Sequence, residues 1–153
     1  MKYWEKIIDV FFTLTLIFLF SFLLNYIWES VHEAFLYEDH SFNAEKYITM
    51  MLYVSTVDAS VILTIYLGVS ALWKDILWFQ KPKRMQVYAS SLAGLSVAAV
   101  IEYWNVMVKK EWSYTPLMPT ILGIGVSPLL QLSVTGLMAL WLTRKVLYQK
   151  KIC

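Results

Sequence analysis

Cysteine is nearly absent from this chain, and charge is nearly absent from its long apolar runs. The one cysteine, Cys153, stands last. That excludes an internal disulfide and any cysteine-based metal or redox motif. Because it is not fourth from the end, it does not read as a prenylation box. Only 16% of residues are charged against 59% hydrophobic, whereas soluble domains run at about a quarter charged. The net charge of +2 is small and its basic residues are dispersed, so no nucleic-acid partner is expected. No repeat, low-complexity segment or linker interrupts the 153 residues, which suit one domain.

What is present is hydrocarbon and aromatic surface. Mean hydropathy is +0.56, and the chain carries 7 Trp, 10 Tyr and 8 Phe. Four apolar stretches, 7–28, 47–73, 87–108 and 121–142, each reach the ~20 residues that a bilayer span needs. None alternates with period two, and a lipid-exposed span must satisfy its own backbone, so all four are expected to be helices. The first follows a charged start but runs into Asn25-Tyr26-Ile27-Trp28 without a small-residue cleavage site, so it reads as a retained span rather than a signal peptide. The expected fold is an all-α integral membrane four-helix bundle.

Orientation follows from Lys and Arg. One side collects Lys2, Lys6, Lys74, Lys81, Lys83, Arg84, Arg144, Lys145, Lys150 and Lys151, and the other only Lys46, Lys109 and Lys110. Both termini are therefore expected in the cytoplasm, in a cell or inner membrane. Trp4, Trp73, Trp78, Tyr88 and Trp141 would form the inner aromatic belt, and Trp28, Tyr37, Tyr47, Trp104, Trp112 and Tyr114 the outer one. The inner connection around Lys81-Pro82-Lys83-Arg84 reads as a short basic turn. The first outer connection, with Phe35, Leu36 and Phe42, is expected to lie along the interface, and His40 within it to be exposed. Pro116 and Pro119 mark an irregular lead into the last helix.

Polar residues inside the spans are few and expensive, at ~2.5–3.5 kcal/mol for a central charge. On the first helix Ser21, Asn25, Glu29 and His32 share one stripe, with Glu33 bordering it. Asp58 lies roughly 16 Å along the second from its outer end. On the third, Ser90, Gly94 and Ala98 repeat every four residues toward Glu102, with Asn105 almost above it, and small residues at that spacing allow close helix approach. Thr120, Ser127, Gln131 and Thr135 line the fourth, where Pro128 is expected to free the carbonyl of Ile124. A polar pocket open to the outer side follows: Asp58 and Gln131 deepest, Asn25, Glu102 and Asn105 between, and Glu29, His32 and Glu33 at the mouth. The bland alternative is that Asn25, Gln131, Ser127 and Thr135 only hydrogen-bond helices together. Asp58 and Glu102 are harder to dismiss, because no Lys, Arg or His lies at their depth.

Three functions are open. A carboxyl in a low dielectric can exchange a proton near neutrality. Asp58 and Glu102 would then act as the catalytic acid and base on a hydrophobic small molecule, an isoprenoid or sterol-like lipid, in an isomerase, cyclase or hydratase reaction needing no cofactor. Asn25, Asn105 and Gln131 would orient them, and Trp104 or Trp28 would face a carbocation. The alternative is a divalent metal on Glu29, His32 and Glu33, since Glu29-Ser30-Val31-His32 is a Glu-x-x-His element; a homodimer would supply further ligands. The third is a non-catalytic subunit or transport partner of a membrane complex. A full channel through one copy is not expected, because the inner half has little polar lining.

The stretch Glu102-Tyr103-Trp104-Asn105, then Trp112-Ser113-Tyr114 and a Pro- and Gly-containing lead into the last helix, resembles small membrane enzymes of carotenoid and sterol metabolism. The resemblance covers a minor part of the chain and implies a lipid-like substrate. The Pro-x-Glu-Glu type of motif of membrane lycopene cyclases is absent, since Pro128 is followed by Leu129-Leu130-Gln131. A reporter fused after Cys153 is expected to be cytoplasmic; a signal from the opposite side overturns the orientation.

Overall fold

A computed structural model describes residues 2–38 and 43–150; His40, Phe42 and Cys153 lie outside the described residues. Four helices dominate: α1 (Lys2–Phe35), α2 (Ala44–Trp73), α3 (Arg84–Glu102) and α4 (Val126–Lys150). A π-helical segment, Tyr103–Lys109, extends α3. Each of the four is long and apolar enough to cross a bilayer, the architecture of an integral membrane protein. α1 packs on α2 and α4, and α3 packs on α4; short connections make successive helices antiparallel.

The bundle is apolar outside and mixed inside. The buried stripe of α1 is Thr13, Ile17, Ser21, Asn25 and His32, while its exposed face carries Phe11, Leu19, Leu23, Ile27 and Val31. This inversion suits a solvent of lipid tails. Apolar side chains gain little by hiding from such a solvent, so packing and hydrogen bonds hold the helices instead.

Small residues set the α3–α4 contact. The buried face of α3 is Gln86, Gly94, Ala98 and Glu102. A Cβ on Gly94 would stand 2.8 Å from Ser133 Oγ and 3.1 Å from its backbone nitrogen. Ser133 Oγ itself donates to the Ser91 carbonyl at 2.7 Å. The two backbones are thus close because Gly94 has no side chain.

The two ends of the bundle differ. At one end the α1–α2 and α3–α4 connections are stitched together. Glu38 N–H donates to the Ser113 carbonyl at 3.0 Å, and Thr115 N–H to the Leu36 carbonyl at 3.0 Å. Tyr37 and Tyr114 form the antiparallel bridge between them. At the other end the α2–α3 connection does more than turn. Its short 3₁₀ helix, Trp78–Gln80, drives Trp78 and Phe79 into the bundle, where each is 2% exposed. Trp78 stacks on Tyr66 at 5.7 Å, and the Tyr66 hydroxyl donates to the Ile76 carbonyl. Trp78 is therefore a plug, not an interfacial belt residue. Trp4, Tyr88 and Trp141 are exposed, as belt residues would be.

The fourth helix begins later than its apolar run. Thr120–Ile121 and Ile124–Gly125, β1 and β2, pair antiparallel around Leu122 and Gly123, both at positive φ (54° and 79°). That is the geometry of a tight two-residue hairpin, where the second position suits glycine. α4 then starts at Val126, so Pro128 sits in its first turn. A proline there removes a donor that has no partner within the helix anyway. The expectation that it frees a mid-helix carbonyl is corrected. Gly94→Val is expected to cost about 1–3 kcal/mol through overpacking, read as a lower unfolding temperature in detergent. Gly68→Ala, with nothing within 4 Å of the added Cβ, is expected to be neutral or stabilising.

Candidate functional site

A cavity of about 220 Å³ lies between all four helices toward the stitched end. Its polar wall comes from Glu29 and Glu33 on α1, Asp58 on α2, Glu102 on α3 and Gln131 on α4, with Tyr37 from the first connection. Its apolar wall includes Met50, Val54, Ile101, Trp112 and Leu132. None of these lining residues is Lys, Arg or His. The plug of Trp78 and Phe79 fills the far end of the bundle.

Two hydrogen-bonded clusters share this cavity. The first centres on Gln131. Its Nε2 lies 3.1 Å from Asn25 Oδ1, 2.5 Å from Glu29 Oε1 and 2.9 Å from Asp58 Oδ2. Asn25 is fully buried; its Nδ2 donates to the Ser21 carbonyl at 2.8 Å, and its Oδ1 also accepts from Thr135 Oγ1 at 3.2 Å. Gln131 has two amide hydrogens for three acceptors. The two carboxyl oxygens of Glu29 and Asp58 therefore compete with Asn25 for those hydrogens.

The second cluster centres on Glu102, 4% exposed. Its Oε1 accepts from the Tyr37 hydroxyl at 3.2 Å, and its Oε2 from the Tyr114 hydroxyl. Tyr114 Oη in turn accepts the Gly125 N–H at 3.1 Å, so the hairpin fixes its aim. A Cβ on Gly125 would meet Met118 Sδ and the Pro128 ring at 3.0–3.1 Å, so these neighbours would have to give by a few tenths of an ångström. Burial, reinforced by the Glu102 charge, pushes the Tyr37 phenol well above its usual range. Burial and the hydrogen bond to Glu102 do the same for Tyr114. Both hydroxyls therefore remain donors.

The predicted residues divide. Asp58, Glu102, Gln131, Glu29 and Glu33 line one cavity, and Asn25 stands directly behind it. Asn105 does not: its Nδ2 donates back to the Ile101 carbonyl at 2.9 Å. Trp104 is 53% exposed on the outside of the bundle and does not line the cavity. The π segment, with a wider turn than an α-helix, breaks the α-helical i, i+3 spacing that put Asn105 above Glu102. Trp28 packs edge-on against His32 at 5.6 Å and is also not part of the lining.

The metal set is not assembled either. His32 Nε2 lies 2.5 Å from Ser127 Oγ, tying α1 to α4, and its buried Nδ1 has no hydrogen-bond partner among the described residues. Glu29 turns instead to Gln131 and Asp58. Among the described residues no three His, Cys, Asp or Glu side chains gather with metal-binding geometry. The expectation for Glu29, His32 and Glu33 as joint ligands is corrected, because a shared stripe does not make side chains converge on one point.

Tyr37 and Tyr114 were missed as site residues. In sequence they read as belt aromatics, and a Tyr–Glu bond across 65 residues leaves no local signature. No known protein family, curated protein or solved structure matches this chain, so the geometry stands alone. Tyr114→Phe is expected to destabilise by about 1–3 kcal/mol, since it deprives a buried carboxyl of a donor; thermal unfolding in detergent reads this. A phenol raised in the folded state lends stability below its unfolded value of 10.0. That contribution is expected to hold up to about pH 10 and to decline only above it, in an alkaline unfolding series.

Proposed function

We propose that the protein binds a hydrophobic small molecule of isoprenoid type in this cavity and transforms it by acid–base chemistry. The observation that carries the reading is the unequal hydrogen bonding of two carboxyl centres on one cavity. Glu102 accepts from two tyrosine hydroxyls, donors that can stabilise a carboxylate when it forms. Asp58 and Glu29 converge on one Gln131 amide nitrogen in a cavity whose lining has no Lys, Arg or His, and on this reading one of the pair carries a proton. Two carboxyl centres with different hydrogen-bond partners on one cavity can divide acid and base roles between them.

On this reading the Asp58–Glu29 pair donates a proton to a double bond or hydroxyl of the bound molecule. Glu102 removes a proton from a neighbouring carbon. The product is an isomer, or an alkene after loss of water. Gln131 and Asn25 keep the acid pair aimed at the cavity, and Tyr37 and Tyr114 hold Glu102 in place with their hydroxyls. Trp112 and Tyr37, 5.9 Å apart and edge to face, offer ring faces to a transient positive charge. The plugged far end makes the cavity a dead end, which suits binding and reaction better than conduction. We extend the reading to orientation: with both termini cytoplasmic, the stitched end and its cavity lie on the outer side.

Protein purified in mild detergent is expected to retain a hydrophobic small molecule, identifiable by mass spectrometry of an organic extract. Asp58→Asn and Glu102→Gln are expected to retain the molecule but to lose turnover by roughly 10²–10⁴-fold, the usual range for a general acid or base. Unchanged turnover in both variants overturns the acid–base reading.

A further inference from the structure

The cavity is too small for the molecule proposed to react in it. Sites that enclose a drug-sized ligand hold about 300–1,000 Å³, and this one holds about 220 Å³. It can receive a reacting end but not a long terpenoid chain. The remainder must lie elsewhere, and the wall between α2 and α3 offers the place.

α2 and α3 meet through a cluster of Ile62, Ala98 and Leu132 of α4, with Val61 and Val97 packed against it. Nearer the stitched end they stand apart. There the cavity wall includes Tyr53 and Val57 of α2, exposed at 69% and 39%. The same two residues begin a groove of about 450 Å³ on the outer surface. It runs along Thr56, Ser60, Thr64 and Ile65 of α2 and ends against Val97 of α3. The hydroxyls of Thr56, Ser60 and Thr64 each donate to the carbonyl four residues back, at 2.7–2.8 Å. Their hydrogen-bonding capacity is spent inside the helix, so they present methyl and methylene surface to whatever lies in the groove.

We infer that the substrate is a linear prenyl or acyl chain with a small polar end, which reaches the cavity sideways from the bilayer between α2 and α3 and leaves its tail in this groove. The inference rests on the cavity receiving the reacting end. Cavity and groove share Tyr53 and Val57 in their linings, and an occupant of both must pass around these side chains, which a flexible chain does more readily than a rigid fused-ring sterol. The sterol-like half of the substrate class is thereby set aside.

Two photoreactive probes test this in phosphatidylcholine nanodiscs. Both are linear prenyl alcohols, one with a diazirine beside the hydroxyl and one with it at the chain end. The first is expected to label Met50, Met51 or Ile101, and the second Ser60, Thr64 or Val97. An excess of unlabelled prenyl alcohol should remove both. Ser60→Trp and Thr64→Trp fill the groove from exposed positions and should leave thermal stability unchanged. They are expected to cut chain-end labelling severalfold.

Cavity labelling by the first probe with even labelling of all lipid-facing helices by the second overturns the groove and leaves the cavity reading standing. Failure of the first probe to label the cavity removes both. Groove labelling that no prenyl alcohol competes away marks bulk lipid as the occupant and overturns the inference. So does equal competition by a sterol.

Discussion

Gln131 donates from one amide nitrogen toward Asn25 and Glu29 of α1 and Asp58 of α2, and much of the bundle's interior follows from that convergence. Lipid cannot solvate a carboxyl group, so an acid placed in a span must be solvated by neighbouring helices. The first, second and fourth helices are thereby drawn to one point at the level of Asp58. Thr135 adds a further bond to Asn25. The third helix is held differently, by the close approach at Gly94 and Ser133 and by the tyrosines that reach Glu102 from the stitched connections.

These two modes of attachment explain where the cavity is. α1, α2 and α4 are joined by polar bonds, and α3 and α4 by small-residue packing. α2 and α3 have neither along the half nearest the stitched end, so the space there stays open. At the opposite end Trp78 and Phe79 occupy the axis against Tyr66, Ile17 and Leu140. The result is a pocket with polar groups at its inner wall, apolar residues at its side and no passage through the bundle.

The membrane architecture was legible from composition and run length, because lipid imposes one requirement on every span regardless of its partners. The carboxyl cavity was legible in outline for the same reason: Asp58, Glu102 and Gln131 had nowhere to turn but inward. Errors arose where local pattern was extended past its range. Helical spacing puts Asn105 above Glu102, but the chain changes to a π segment directly after Glu102. Pro128 was read as an interruption, but a hairpin with positive φ at Leu122 and Gly123 delays the helix until just before it. Trp78 looked interfacial because its neighbours are basic, yet its ring is driven inward.

Sequence alone determined which residues are costly in a bilayer and so must face protein, since that depends only on side-chain chemistry and depth. It could not determine which of them meet. The division into a Glu29–Asp58 pair gathered on Gln131 and a tyrosine-held Glu102 arises from contacts between residues far apart in the chain. So do the two unpredicted donors, Tyr37 and Tyr114. Such contacts depend on the relative rotation of helices and the paths of connecting loops, and no periodicity within a single helix records either.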